Sequence, residues 1–260
     1  MNRVSVLCSL WGNKYSVDYV NKLYNMVKKN CPMPFDFYCQ TDHDGLLPQI
    51  ERIDFNSELP ESTPHEMQAS DNYLNGLPRL WDRPKLNYWK PKCWGIDGIK
   101  IAFDIDVLIL NNLEPIFEQY FAQDKAFTGR SWWHNMEHEA LPQWRRRYGA
   151  RNNGGFYMWQ DHQVKGIWDD LIENYKFIYF CFHGGSDNFI STRHLDKFAF
   201  VSHEHMYSFN RGVKWPDDLA MWQYRPEKII CVFNTDVGYP LHKDIHNSSE
   251  AFPWIKEYWQ

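Results

Sequence analysis

The chain lacks most of the features that settle a protein's class at a glance. It has no Pro/Ser/Gly-rich linker and no internal repeat, so its 260 residues read as one domain, 1–260, rather than two. No apolar stretch approaches the roughly 20 residues that span a bilayer. The opening "MNRVSVLCSLWG" has one arginine and a short apolar run but no small-residue cleavage site, which argues against a signal peptide. Basic charge is scarce: the net charge is −5 and the one dense basic run is Arg145–Arg147, so nucleic acid is a poor partner. Cys8, Cys31, Cys39, Cys93, Cys181 and Cys231 form no CxxC pair, and most lie in apolar runs such as "SVLCSL" and "KIICVF". That pattern predicts reduced thiols and a cytoplasmic protein, in which the Asn247-Ser248-Ser249 sequon would stay idle.

Aromatics, by contrast, are abundant: 13 Trp, 15 Tyr and 17 Phe. Rings of this kind stack on sugars, although core filling is their commoner use.

Periodicity predicts an α/β organisation. "RVSVLCSL" reads as a strand, "YSVDYVNKLYNMVKKN" as a helix with Tyr15, Tyr19, Leu23, Met26 and Val27 along one face, and "PFDFYCQTD" as a second strand. This βαβ start suits a nucleotide-binding sheet, whose ligands sit beyond the carboxyl ends of the strands. Leu10–Asn13 and Gln40–Asp42 are therefore candidate contacts. Further on, the pattern predicts a helix from Pro84, a strand running into "FDID", a helix over "LEPIFEQYF" and a strand at "KAFTGR". It then predicts a strand at "GGFYMW", a helix over "VKGIWDDLIENY", a helix capped by Ser186, a strand at "KIICVF" and a terminal helix over "AFPWIKEYW". Residues 56–78 and 131–150 are polar or aromatic insertions of the kind that carry specificity on a rigid scaffold.

The chemically informative stretch is "KIAFDIDVLIL", residues 100–110, an apolar run carrying Asp104 and Asp106. Unpartnered carboxylates are costly to bury. On a strand, residues i and i+2 share a face with Cα atoms about 6–7 Å apart, so both acids would reach one divalent cation. A Mg²⁺-like ion takes one or two carboxylates and completes its shell with phosphate oxygens and water. His134/His138 and His203/His205 have pair spacings but no evident third ligand, and Trp132 and Trp133 are candidate sugar-stacking rings.

"FDIDVLILNNLEPIF" resembles the metal-binding segment of the GT-A nucleotide-sugar glycosyltransferases, especially the glycogenin-like family eight. "VSVLCSLWGNKY" is similar to that family's first nucleotide-contacting strand and loop, "NNGGFYMW" to its Asn-x-Gly strand, and "GGSDNFIS" to its Gly-Asp-Gln segment. The resemblance implies a GT-A, Rossmann-like mixed sheet flanked by helices. It implies a hexosyltransferase-like enzyme that uses Mn²⁺ (or Mg²⁺) and a nucleotide-sugar donor, UDP-linked by analogy, with retention of configuration. The acceptor would be a carbohydrate or glycoconjugate. Donor-binding residues by this resemblance are Leu10, Trp11, Tyr15, Asp42, Lys85, Asp104, Asn153, Gly155 and Asn188. Asp187 falls beside the donor sugar as the catalytic residue, and Asp104, Asp106 and His242 are the metal ligands.

The C-terminal part departs from the pattern. "VFNTDVGYPLHKDIH" keeps Pro240 but has Tyr239 in place of the family's lysine, with Lys243 nearby. The position of the metal-binding histidine falls near Asn234, which leaves His242 and His246 as substitutes. Two alternatives stay open: a haloacid-dehalogenase-like phosphatase, whose nucleophile lies in an Asp-x-Asp segment, and a non-catalytic carbohydrate-binding protein. The phosphatase motif normally opens its domain, whereas a complete βαβ unit precedes it here.

Overall fold

The computed structural model describes residues 3–54, 83–131, 151–181, 185–212, 220–234 and 244–260. The polar insertion 56–78 lies outside them, as do Trp132, Trp133, His134, His138 and Arg145–Arg147.

Strand β1 (Val4–Leu10) is buried at all seven positions, which requires neighbours on both edges and both faces. It lies between β2 (Phe35–Thr41) and β4 (Ile99–Phe103), parallel to both. Helix α1 (Val17–Asn30) makes the right-handed connection from β1 to β2. Its buried stripe is Tyr19, Val20, Leu23, Met26 and Val27, close to the expected face. Asp18 in its first turn and Lys28 and Lys29 in its last complement the helix dipole.

Beyond β2 comes β3 (Ile50–Ile53), and beyond β4 come β7 (Asn152–Trp159), β6 (Ala126–Arg130) and β8 (Phe198–Phe200). The order β3-β2-β1-β4-β7-β6-β8 is mixed, because β7 runs antiparallel to β4 and β6. β7 therefore begins at the edge where β1, β2 and β4 end. A second sheet, β5-β10-β9, comprises Val107–Ile109, Ile230–Val232 and Met206–Ser208.

One face of the large sheet packs on α1, α2 (Glu114–Phe121) and the small sheet. The opposite face packs on a 3-10 helix at Arg83–Trp89, on α3 (Ile167–Cys181) and on α4 (Ser186–Arg193). Many of the aromatics are core here: Trp89 lies edge-on to Tyr157 and Phe198 and tilted against Trp159. Cys8, Cys31, Cys39, Cys93 and Cys231 are free thiols. Among the described residues no helix is long and apolar enough to cross a membrane.

The structure corrects several expectations. "KIAFDIDVLIL" is not one strand: β4 ends at Phe103, the acids occupy a turn, and β5 joins the other sheet. The helix expected from Pro84 is a single 3-10 run. Ser186 is the first helical residue of α4, while Gly185 (φ 74°) takes the cap position, a conformation that favours glycine. The terminal segment splits into α5 (Ile245–Ala251) and α6 (Ile255–Tyr258), with Pro253, which has no N–H to continue a helix, between them.

Candidate functional site

The Asp104-Ile105-Asp106 turn carries the chain from the large sheet to the small one, and both of its ends are fixed. The Asp104 N–H donates to the Gly155 carbonyl at 3.1 Å, and the Asp106 carbonyl accepts from the Phe233 N–H at 3.2 Å. Ile105 between them is buried in the core. The acids are thus held together by a crossover pinned to β7 and β10, not by the two-residue period of a strand.

Each carboxylate has a partner. Lys85 Nζ forms an ion pair with Asp104 Oδ1, the two side chains being 17% and 23% exposed. The Tyr15 hydroxyl donates to Asp106 Oδ2 at 3.2 Å, and Asp106 is 9% exposed. Burial pushes the Asp104 carboxyl above its usual range, Asp106 adds to the rise, and the Lys85 and Lys14 ammoniums oppose it. Lys85 is delivered by the 3-10 helix, which is fastened to β1 by a 2.7 Å hydrogen bond between the Tyr88 and Ser9 hydroxyls.

Asp187 stands in the first turn of α4. Its carboxylate accepts from the Gly154 N–H (3.1 Å), the Tyr157 hydroxyl (3.1 Å) and Asn152 Nδ2 (3.3 Å). Asn152 Nδ2 also donates to the Tyr157 oxygen at 2.7 Å, and Ser191 Oγ bonds Asn152 Oδ1. The start of β7 is thereby locked to α4. The fit is close enough that a Cβ at Gly154 would overlap Asp187 Oδ1. Burial raises the Tyr157 hydroxyl far above its ordinary range, and the charges of Asp187 and Asp104 raise it further. Tyr157 thus feels both acids, which links the Asp104 turn to Asp187.

Asn152 and Tyr157 belong to the candidate site through Asp187, and sequence reasoning missed them. A neutral amide and one tyrosine in an aromatic-rich strand carry no distinguishing pattern. Asn153 and Gly155 were expected to meet the donor, and both are engaged in packing. Asn153 Oδ1 accepts the Gly155 N–H at 2.8 Å, and a Cβ at Gly155 would come within 3.0 Å of Val232. Only glycine lets β7 approach β10 so closely.

At the same edge Leu10 is buried and Trp11 half-buried. Gly12 (φ 65°) turns the chain and accepts a 2.7 Å hydrogen bond on its carbonyl from His43 Nε2. That bond ties the β1 loop to the β2 loop, where the Asp42 carboxylate is exposed and 3.5 Å from the His43 ring. Asn188 is half-buried in the first turn of α4.

His242, Lys243, Tyr239 and Pro240 lie outside the described residues. His246 is exposed at the start of α5, edge-on to Trp259. His203 and His205 occupy the turn between β8 and β9, and burial lowers the pKa of His205. Among the described residues no three His, Cys, Asp or Glu side chains gather to hold a metal. A hard divalent ion would have Asp104 and Asp106 as its acidic ligands, with the rest of its shell from other oxygens.

No family model and no curated protein matches the chain. Solved structures do. An active-site mutant of LgtC aligns over 97% of this chain and 95% of its own, with TM-score 0.53 and 10% identity. Galactosyltransferase LgtC in complex with donor and acceptor sugar analogues gives 98% and 96%, TM-score 0.52 and 11% identity. Apo mouse xyloside xylosyltransferase 1 gives 92% and 100%, TM-score 0.51 and 11% identity. At such identities the likeness is one of fold, and the seven-stranded mixed sheet flanked by helices is similar to that of the GT-A glycosyltransferases.

Proposed function

We propose that residues 1–260 form one glycosyltransferase domain that moves a sugar from a nucleotide-diphosphate donor, UDP-linked by analogy, to a carbohydrate or glycoconjugate acceptor. The observation that carries this is the pairing of Asp104 and Asp106 in a turn at the carboxyl edge of the sheet, with Lys85 on one side and Asp187 across Tyr157 on the other. A structural role would explain one paired acid there, and it leaves the second unexplained.

Asp104 and Asp106 would hold Mn²⁺ or Mg²⁺, which neutralises the charge growing on the departing diphosphate. Lys85 adds a second cation at the same point, within reach of a phosphate oxygen once it leaves Asp104. Asp187 is held rigid by three donors, which suits a carboxylate that must orient sugar hydroxyls beside the reacting carbon. In the transfer the bond from the anomeric carbon to the diphosphate breaks and its electron pair leaves with the diphosphate. The acceptor oxygen forms the new bond and gives up its proton to the departing diphosphate. Retention at that carbon follows from the glycogenin-like resemblance.

The test is a panel of nucleotide sugars with Mn²⁺, read by release of free nucleoside diphosphate. Release from one donor class, abolished by EDTA, is the expected result. Donor binding without release would identify a non-catalytic binding protein, and neither binding nor release across the panel would defeat the proposal.

A further inference from the structure

Asn234 follows β10 and carries an unsatisfied oxygen where it stands. Its Oδ1 is buried with no hydrogen-bond partner, and its backbone sits at φ 50°. A buried acceptor left unpaired costs about 1–3 kcal/mol. Asparagine enters the left-handed region more readily than other non-glycine residues, so the unpaired oxygen is the main cost. An unpaired buried oxygen asks for something that offsets it.

Its position supplies the candidate. β10 runs antiparallel to β5 with Val232 opposite Val107, and the Phe233 N–H continues the ladder to the Asp106 carbonyl. Asn234 is the next residue, so the chain leaves β10 at Asn234 directly beside the turn that carries the two acids. A second contact fixes the same corner: Val232 abuts Gly155, whose carbonyl holds the Asp104 N–H.

We infer that Asn234 Oδ1 is the third protein ligand of a divalent cation bound by Asp104 and Asp106. The inference rests on the proposed glycosyltransferase reading for the presence of the cation and adds the identity of a ligand. An amide oxygen is a hard, neutral donor of the kind that oxygen-seeking cations accept. It brings no further negative charge to a turn that already holds two. The protein's share of the shell is then all oxygen, and no imidazole is required. Imidazole favours softer ions, so an all-oxygen set discriminates less between Mn²⁺ and Mg²⁺ than a set containing His242 would.

Binding of Mn²⁺ alone, without nucleotide or sugar, is measured on the full chain by electron paramagnetic resonance and calorimetry, with Mg²⁺ as competitor. Asn234→Ala is expected to weaken Mn²⁺ binding tenfold or more, and Asn234→Gly, which suits the left-handed backbone, to do the same with no loss of metal-free melting temperature. Asn234→Asp, which keeps the oxygen, is expected to bind Mn²⁺ at least as tightly as wild type. The spin-echo spectrum of the bound Mn²⁺ is expected to carry no imidazole-nitrogen coupling. Asp106→Ala separates the two levels of the argument. If it abolishes binding and Asn234→Ala does not, the ligand assignment fails and the cation site stands. If the wild-type chain binds no Mn²⁺ with or without UDP, the metal-dependent reading fails with it. Imidazole coupling that vanishes in His242→Ala would also overturn the assignment of Asn234.

Discussion

Lys85→Met tests the electrostatics of the site most directly. Lys85 and Asp104 form an ion pair in which neither side chain is more than a quarter exposed, 17% and 23% respectively. An exposed pair contributes at most about 1 kcal/mol, and breaking a fully buried one costs about 3–5 kcal/mol. This pair lies between, so the methionine variant should lose about 1–3 kcal/mol in the absence of divalent ions. Tyr88 keeps the 3-10 helix on Ser9, so the loss should come from the charge and not from detachment of the helix. The sign then reverses on adding metal. An ammonium beside Asp104 competes with any cation for the same carboxylate, and without it Mn²⁺ should bind about tenfold tighter, or ~1.4 kcal/mol. Nucleotide-sugar affinity should fall at the same time, since the charge proposed to meet the diphosphate is gone. Urea unfolding with and without Mn²⁺, followed by calorimetry with UDP, separates the three effects. If Lys85→Met has wild-type stability without metal and wild-type Mn²⁺ affinity, the pair does not organise the site.

Three further perturbations address the rest of the frame. Asp106→Ala should abolish metal-dependent turnover and leave the circular dichroism spectrum intact, whereas wild-type activity that survives excess EDTA would remove the metal from the mechanism. Gly154→Ala places a methyl on the Asp187 carboxylate. Turnover should fall at least tenfold, with a stability loss of about 1–3 kcal/mol as for other overpacked sites; an active, equally stable variant would show that the position of Asp187 is not critical. The third concerns acid sensitivity. Burial holds the His194 imidazole below its ordinary pKa and outweighs the attraction of Asp170, 2.7 Å away. The unfolded chain therefore takes up this proton first, and stability falls as pH drops below about 6.5. Burial would raise the Asp170 carboxyl, but hydrogen bonds from Arg193 and His194 outweigh it and hold the group below its usual range, so its contribution is lost only at lower pH, below the ordinary carboxylate value. His194→Gln should flatten the loss of unfolding free energy between pH 7 and 5, and an unchanged slope there would assign the titration to another group.

What the sequence made legible follows from physics that is local along the chain. The first βαβ unit was readable because Tyr19, Leu23, Met26 and Val27 recur at helical spacing between two apolar runs. Asp104 and Asp106 stood out because charge inside an apolar run is rare. The break between β4 and β5 was not readable, since "VLIL" looks the same whether it pairs in the first sheet or in another. β3, β8 and β9 have three or four residues each, too few for a period to show. The supports of Asp187 were hidden for a different reason. Asn152, Tyr157 and Ser191 act through distances of about three ångströms between segments up to 39 residues apart, and nothing in their local pattern reports that.

The arithmetic of charge at the turn shows why these acids are better explained by a ligand than by the fold. Two carboxylates are present, and Lys85 neutralises one of them. Asp106 is at least as buried as its neighbour, and its side-chain donor among the described residues is the Tyr15 hydroxyl at 3.2 Å, a long bond for an oxygen donor. An ionised carboxylate has about four lone-pair sites and is stabilised by several donors or by a cation. An evolving core under no other demand would shed such a group, because an apolar replacement of similar volume is neutral or stabilising. The charge lies where the turn meets the edge of the sheet, the edge at which β1, β2 and β4 end and β7 and α4 begin. On the proposed reading, a divalent ion arriving with a diphosphate would bring positive charge for Asp106 and negative charge for Lys85 together. Each half of the ligand then answers a group that the protein alone leaves under-satisfied or paired with a placeholder, and neither half alone would do so.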